Sequence, residues 1–167
     1  MRGWQVRRWI ACRLEFKGRR RTLLQPGRFT ELFFLDEATA LAAGHRPCAE
    51  CRREDFVRFR QAWAEDRGQD PPRADDLDRV LHAERIDGGK RLHPATLRDL
   101  PGGSMVADEG RAWLVVHGDL IAWSPFGYGE RRAVPGSTRV LSLTAPSVIG
   151  ALQAGYAPML HPTAGLP

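Results

Sequence analysis

Two cysteines separated by two residues carry the clearest chemical signal in this 167-residue chain. Cys48 and Cys51 flank Ala49 and Glu50 and come directly after Arg46-Pro47. A Cys-x-x-Cys spacing brings two thiolates close enough to bind one ion, and zinc prefers thiolate and imidazole ligands in a tetrahedral site. A redox pair fits this position less well, because this motif follows a predicted helix end rather than a strand. Two inert buried thiols are the third interpretation.

A closed zinc site needs four ligands, so two more donors are required. Cys12 is the only other cysteine, and an odd number of cysteines argues against a disulfide framework. His45 precedes Cys48 by three residues and extends the motif to His-x-x-Cys-x-x-Cys. The predicted metal ligands are therefore Cys12, His45, Cys48 and Cys51. For the fourth position a carboxylate, a water molecule and the other histidines remain open, namely His82, His93, His117 and His161.

Positive charge is concentrated at the N-terminal end of the chain. Residues 1–28 hold nine basic side chains and one acidic side chain, Glu15, although the net charge of the whole chain is only +5. Such a distribution favours a polyanionic partner, DNA or RNA. The predicted nucleic-acid contacts are Lys17, Arg19, Arg20 and Arg21, because guanidinium groups bind phosphates through paired hydrogen bonds. A solvated basic turn is the alternative interpretation.

The helices that must position these residues are predicted from capping and periodicity. Asp36 has the short acceptor side chain of an N-cap and Gly44 follows an alanine-rich run, which together predict a helix over Glu37–Ala43. An apolar stripe at i, i+3 and i+7 predicts a second helix over Arg53–Asp66. A third helix is predicted over Asp75–Arg85, after a polar, proline-containing linker.

Strands are predicted on both sides of these helices. The N-terminal strands are expected at Trp4–Leu14, Thr22–Leu24 and Thr30–Leu35, with Phe33 and Phe34 in the core. From residue 104 onward the apolar period changes to two, which predicts a small meander with a turn at 127–129. Its strands are Met105–Val106, Ala112–Val116, Leu120–Trp123 and Arg139–Leu143, and the last helix is Ser147–Ala154.

These elements predict an α+β protein of three segments. Residues 1–68 are expected to form a small zinc-stabilised module of short strands and two helices. Residues 69–103 are expected to form a linker and a helix, and residues 104–167 a β-rich module with a closing C-terminal helix.

Residues 8–53 resemble the Ada-type metal-binding domain of bacterial DNA-methylphosphotriester repair proteins. The similarity is carried by Cys12-Arg13, the basic run Arg19–Arg21, the pair Phe33-Phe34, the capped helix Asp36–Ala43 and the segment Ala43–Cys51. It covers less than a third of the chain, and its second half is the more specific. The resemblance implies a zinc-ordered fold that contacts DNA.

The resemblance also implies roles for individual residues. In the family four cysteines hold zinc and the first of them accepts a methyl group; Cys12 matches that acceptor, and Cys48 and Cys51 match the last two ligands. At the position of the family's second cysteine this chain has Phe16, which has no donor atom. At the position of the family's aromatic residue before Arg-Pro it has His45. The sequence thus lacks one of the family's ligands.

Composition narrows the remaining possibilities. With 43% hydrophobic and 27% charged residues, the chain has the profile of an ordinary globular domain. The longest uncharged stretch, residues 140–160, is interrupted by polar residues, glycines and prolines, and the N-terminus shows no signal peptide, so no membrane span and a cytoplasmic location are expected.

Three functions are compatible with these features. The first is a zinc-binding protein that contacts nucleic acid through its basic segment, with a structural ion. The second is an alkyl acceptor or hydrolase that acts on DNA through Cys12. The third is a non-catalytic interaction protein. The sequence does not decide between an enzyme and a binding protein, and it gives no oligomeric state.

Overall fold

A computed structural model describes residues 5–18, 25, 27, 31–86 and 89–165. Within these ranges the chain forms four α-helices, a six-stranded antiparallel sheet and a two-stranded parallel sheet. The predicted α+β class is therefore confirmed. No helix in the described ranges is long and apolar enough to cross a membrane.

Along the chain, most of the helices come first and most of the strands follow them. The helices are α1 (Glu37–Ala42), α2 (Arg53–Asp66), α3 (Ala74–Arg85) and α4 (Pro146–Gln153). The small sheet pairs β1 (Ile10–Ala11) with β2 (Arg46–Pro47). The large sheet has the order β3-β8-β4-β5-β6-β7, made of β3 (His93–Thr96), β4 (Met105–Asp108), β5 (Arg111–Val116), β6 (Asp119–Ser124), β7 (Gly127–Arg132) and β8 (Arg139–Ser142).

All four predicted helices are present, with ends that agree within one residue. The Asp36 carboxylate accepts a hydrogen bond from the backbone N–H of Thr39 at 2.9 Å, as expected of an N-cap. At the other end of α1, Gly44 adopts a left-handed conformation with φ of +84°. Local capping and an apolar stripe are sufficient signals for these helices because both act within a few residues.

The large sheet contains two strands that the sequence did not predict. Residues 127–129 were assigned to a turn because of their glycines, but Gly127 begins β7, which pairs with β6 through Tyr128 opposite Trp123. β3 contains Pro94 and lies at the edge of the sheet, the position where a strand tolerates proline. β3 pairs with the distant strand β8, whereas β7 forms a tight hairpin with the preceding strand β6, and in both cases pairing overrides local preference.

The N-terminal strand predictions are largely wrong. Of the predicted strand Trp4–Leu14, only Ile10–Ala11 is a strand within the described ranges. Residues 31–35 form no strand, and Phe33 is 64% exposed instead of lying in the core. The predicted strand Thr22–Leu24 lies outside the described residues. Alternating apolar residues form a strand only where a partner edge is available.

The buried side chains form three clusters. One unites all four helices around Phe59, Trp63, Leu77 and Leu81, and the ring of Tyr156 contacts that of Phe59 edge to face at 5.2 Å. The other two clusters are built mainly on residues of the large sheet. Helices from all three predicted segments thus share one core, while the boundaries at 68 and 103 stay a prediction.

Candidate metal centre

A short parallel pairing places Cys12 beside the Cys-x-x-Cys motif. The backbone N–H of Arg46 donates to the carbonyl oxygen of Trp9 at 3.1 Å, and the N–H of Cys48 donates to that of Ala11 at 3.1 Å. Cys12 follows β1 directly, and Cys48 follows β2 directly. Because the two strands run in the same direction, both cysteines lie at the same end of the pair.

The three cysteines come together in this position. The Sγ atoms of Cys12, Cys48 and Cys51 all lie within 4.8 Å of one another. The ranges that the structure describes contain every cysteine and every histidine of the chain, and no histidine or carboxylate in them joins this group. The cluster could hold a metal ion, and it contributes three protein ligands.

Backbone N–H groups point at two of the sulfur atoms. Glu50 donates its N–H to the Sγ of Cys48 at 3.4 Å, and Arg13 donates its N–H to the Sγ of Cys51 at 3.2 Å. Such hydrogen bonds stabilise the thiolate form that binds metals. The N–H of Arg52 donates to the Cys48 carbonyl oxygen at 3.2 Å, so the motif continues as a turn into α2.

The pKa values of the thiols reflect their crowding. Partial burial and the negative charges of Cys48 and Cys51 raise the pKa of Cys12 to about 12. Burial also disfavours the Cys48 thiolate, but the backbone N–H groups of Cys51 and Glu50 outweigh it, and the pKa of Cys48 is lowered. Three thiolates at this distance are ionised together only where a cation offsets their mutual repulsion.

The cluster is asymmetric in its exposure. Cys48 and Cys51 are 8% and 9% exposed, whereas Cys12 is an exposed residue. A metal ion in this site would therefore contact two buried thiolates, those of Cys48 and Cys51, and the exposed thiolate of Cys12.

His45, the fourth predicted ligand, occupies a different environment. Its ring contacts those of Trp9 and Phe34, with centroid distances of 5.3 and 4.7 Å, and its Nδ1 atom is buried without a hydrogen-bond partner among the described residues. Burial and the nearby positive charge of Arg85 lower the pKa of His45 to about 4, so the imidazole is neutral at physiological pH. The structure brings the three cysteines together and leaves His45 outside their group.

An ion pair that the sequence did not predict fixes β2. The Nε and Nη2 atoms of Arg46 donate to the two carboxylate oxygens of Asp78 at 2.9 and 2.8 Å, and both side chains are almost fully buried. Arg46 also donates to the Pro47 carbonyl oxygen at 3.1 Å. The partners are 32 residues apart in the chain, so no local pattern relates them.

A second buried arginine joins the two chain segments that meet at the cluster. Arg85, at the end of α3, donates to the carbonyl oxygens of Gly44 at 2.7 Å and Arg7 at 2.6 Å. Its guanidinium carbon lies 3.9 Å from the centroid of the Trp9 ring. Arg85 thus holds the residues before β1 against those before β2. The sequence did not predict this role, because a charged residue at a helix end is usually exposed to solvent.

The predicted nucleic-acid contacts are only partly described. Lys17 is exposed, and its Nζ lies 5.1 Å from the centroid of the Phe16 ring. Arg19, Arg20 and Arg21 lie outside the described residues.

Comparison of the chain with protein-family models, curated proteins and solved structures gave no match. The assignment of a function therefore depends on the geometry of the cysteine cluster and on the charge of the N-terminal segment.

The turn before β2 should tolerate no side chain at Gly44. A Cβ atom there would lie 2.5 Å from the Cδ of Arg85, and the φ of +84° is itself unfavourable for other residues. We expect Gly44→Ala to lower the free energy of unfolding by about 2–4 kcal/mol, the sum of conformational strain and overpacking. Urea denaturation would measure this change.

Gly68→Ala is the matched control for that variant. Gly68 also ends a helix, with φ of +58°, but a Cβ atom there would meet nothing within 4 Å. We expect Gly68→Ala to lower the free energy of unfolding by about 1 kcal/mol, from the conformational strain alone. Equal effects of the two substitutions would show that the contact with Arg85 does not hold the turn.

Proposed function

We propose that this chain is a zinc-binding protein in which the ion has a structural role and the basic N-terminal segment contacts nucleic acid. The observation that carries the proposal is the meeting of three cysteine Sγ atoms within 4.8 Å. In a tetrahedral site with zinc–sulfur bonds of about 2.3 Å, sulfur atoms are about 3.8 Å apart. Small movements of the three cysteine side chains would therefore fill three of the four coordination positions of a zinc ion.

The surroundings of Cys12 support a structural role for the ion. Within residues 5–18, Ile10 is 40% exposed, Val6 58% and Leu14 85%, so few apolar contacts stabilise this segment. The pairing of β1 with β2 extends over only two residues. A metal bridge from Cys12 to the buried Cys48 and Cys51 would supply stability that packing does not.

Metal removal should destabilise the protein measurably. We expect purified protein to contain one zinc ion per chain, and Cys48→Ser and Cys51→Ser to lose it. At free zinc a hundred times above its dissociation constant, the ion contributes about 2.7 kcal/mol, which corresponds to a fall in Tm of about 5–11 °C on its loss. Metal analysis and thermal unfolding with and without a strong chelator would check this; an unchanged melting curve with the chelator would contradict a structural site.

The proposed nucleic-acid contact rests on charge. Nine basic residues and one acidic residue in the first 28 positions provide the positive field that a phosphate backbone requires. Lys17, five residues after Cys12 in the sequence, is exposed. The proposed contacts are Lys17, Arg19, Arg20 and Arg21, because they form the densest basic run in this segment.

Binding to DNA and RNA should weaken steeply as salt rises, because it releases counterions from phosphates. Changing Arg19, Arg20 and Arg21 together to Glu should abolish binding to all sequences alike, since phosphate contacts carry no sequence information. Fluorescence anisotropy with labelled oligonucleotides at several salt concentrations would measure this.

The control for that variant makes the same change in net charge elsewhere. Arg98, Arg111 and Arg139 are exposed on and beside the large sheet, and their joint replacement by Glu should leave most of the binding intact. If both triple variants lose binding equally, the effect is one of net charge and the assignment to the basic run is wrong.

A second function is favoured by one observation, the exposure of Cys12 beside two buried cysteines. An alkyl acceptor needs a metal-activated thiolate that a substrate can reach. In such a transfer the Cys12 sulfur forms a bond to the methyl carbon, and the bond from that carbon to the phosphate oxygen breaks, leaving a phosphodiester anion. The resemblance to Ada-type domains implies this reaction for the residue at this position.

Limiting methyl iodide distinguishes the two roles. If Cys12 is an acceptor, the folded, zinc-loaded protein should be methylated at Cys12 at least tenfold faster than at Cys48 or Cys51, because a bound but exposed thiolate reacts and a buried one does not. Peptide mass spectrometry would locate the label, and urea-unfolded, zinc-free protein, in which all three should react, is the control. Equal protection of all three cysteines by zinc would exclude the acceptor role.

A further inference from the structure

We infer that the metal ion bound by the three cysteines keeps a fourth coordination position that accepts an exchangeable small donor from solution, with small-molecule thiolates as the preferred class. The inference rests on the proposed zinc site and specifies its chemistry. It differs from a closed structural site, in which four side chains surround the ion.

Within the described residues, three protein donors meet at this site. Cys12, Cys48 and Cys51 are the only cysteines of the chain, and no histidine or carboxylate of the described residues joins them. Zinc bound to proteins is almost always four-coordinate, so a site with three thiolates takes its fourth donor from elsewhere.

No histidine of the described ranges lies in the group of potential ligands. The ring of His45 contacts those of Trp9 and Phe34, and its Nδ1 atom is buried without a hydrogen-bond partner in those ranges, so His45 is the histidine to test against the open position. Three other histidines form hydrogen bonds through a ring nitrogen. His82 bonds with the Arg85 side chain at 3.1 Å, His93 with the Glu84 carbonyl oxygen at 3.0 Å, and His161 with the Thr163 hydroxyl at 2.8 Å. His117 lies in the turn between β5 and β6, with φ of +50°.

Chain direction explains why His45 does not join the cysteines. His45 precedes β2 and Cys48 follows it, and residues three apart along an extended segment project from opposite faces. A rotation of the His45 side chain towards the cluster would break its contacts with the rings of Trp9 and Phe34. The acidic residues nearest in sequence, Glu15 and Glu50, are also outside the group of potential ligands.

The exposure of Cys12 indicates that the fourth coordination position faces solvent. Cys48 and Cys51 are buried and Cys12 is exposed, so the vertex not occupied by sulfur is reached past Cys12. Zinc in a sulfur-rich site prefers a further soft donor over an oxygen donor. A small thiolate therefore fits this position better than a carboxylate, and water fills it when no thiolate is present.

Cobalt substitution tests the inference without any assay of activity. The full chain loaded with one equivalent of Co²⁺ would be titrated with 2-mercaptoethanol while the visible absorption bands are recorded. We expect the sulfur-to-cobalt charge-transfer absorbance to rise by about a third, as three thiolate ligands become four. Ethylene glycol, which has oxygen in place of sulfur, should have no effect, and metal analysis after gel filtration should show that the ion stays with the protein.

Two variants identify a side chain that occupies the position instead. His45→Phe keeps an aromatic ring beside Trp9 and Phe34 but removes the nitrogen atoms, and Glu50→Gln removes the carboxylate charge. Both should give the wild-type cobalt spectrum and the same response to 2-mercaptoethanol. A changed spectrum in either variant, or a wild-type spectrum that does not respond to the thiol, would overturn the open position while leaving the metal site itself intact.

Failure of the metal site itself gives a different result. If the chain binds no Co²⁺, or if Cys48→Ser binds it as wild type does, the three cysteines do not form the site and both proposals are wrong.

Discussion

The buried ion pair between Arg46 and Asp78 is the interaction on which the cysteine cluster depends. It attaches β2 to α3, and β2 in turn supplies the hydrogen bonds that orient β1 and Cys12. A two-residue parallel pairing has little stability of its own. Loss of one partner from a buried ion pair typically costs about 3–5 kcal/mol, so the position of β2 is strongly determined even though its pairing is short.

Two adjacent acidic residues connect this region to the C-terminal half of the chain. Glu37, at the start of α1, pairs with Arg52 at 2.8 Å and accepts a hydrogen bond from the Tyr156 hydroxyl at 2.6 Å. Asp36 accepts one from the Tyr128 hydroxyl at 2.8 Å while it caps α1. Since Arg52 follows Cys51 directly, the end of the metal motif is fixed to a buried carboxylate that also holds the segment after α4. The cysteine cluster is therefore part of the main structure rather than an appendage to it.

The sequence predicts what is determined locally and misses what is determined by distant partners. Capping at Asp36 and the apolar stripe of α2 specify helices to within a residue, and the Cys48–Cys51 spacing identifies two members of the cysteine cluster. The approach of Cys12 follows from strand pairing, which no local pattern predicts; Cys12 was expected at the site because it is the only other cysteine and because it matches a ligand of the resembling domain. The contact between Arg46 and Asp78 has no local signature. His45 was predicted as a ligand from its nearness in sequence, which along an extended chain does not imply the same face.

The three cysteines of the cluster differ in how firmly the rest of the structure holds them. The buried Cys48 and Cys51 are held by a turn, by backbone hydrogen bonds and by α2, so they form a preorganised pair for a metal ion. Cys12 belongs to a segment with few apolar contacts and completes the site from the solvent side. Under the proposed zinc site, ligation of Cys12 together with Cys48 closes a chain loop from residue 13 to residue 47, which contains the basic run in its sequence. Closing a loop reduces the number of conformations open to it, and contacts made from an ordered loop lose less entropy on binding. Metal binding and phosphate binding would therefore be favourably coupled, because the ion bears part of the ordering cost that the nucleic acid would otherwise have to offset.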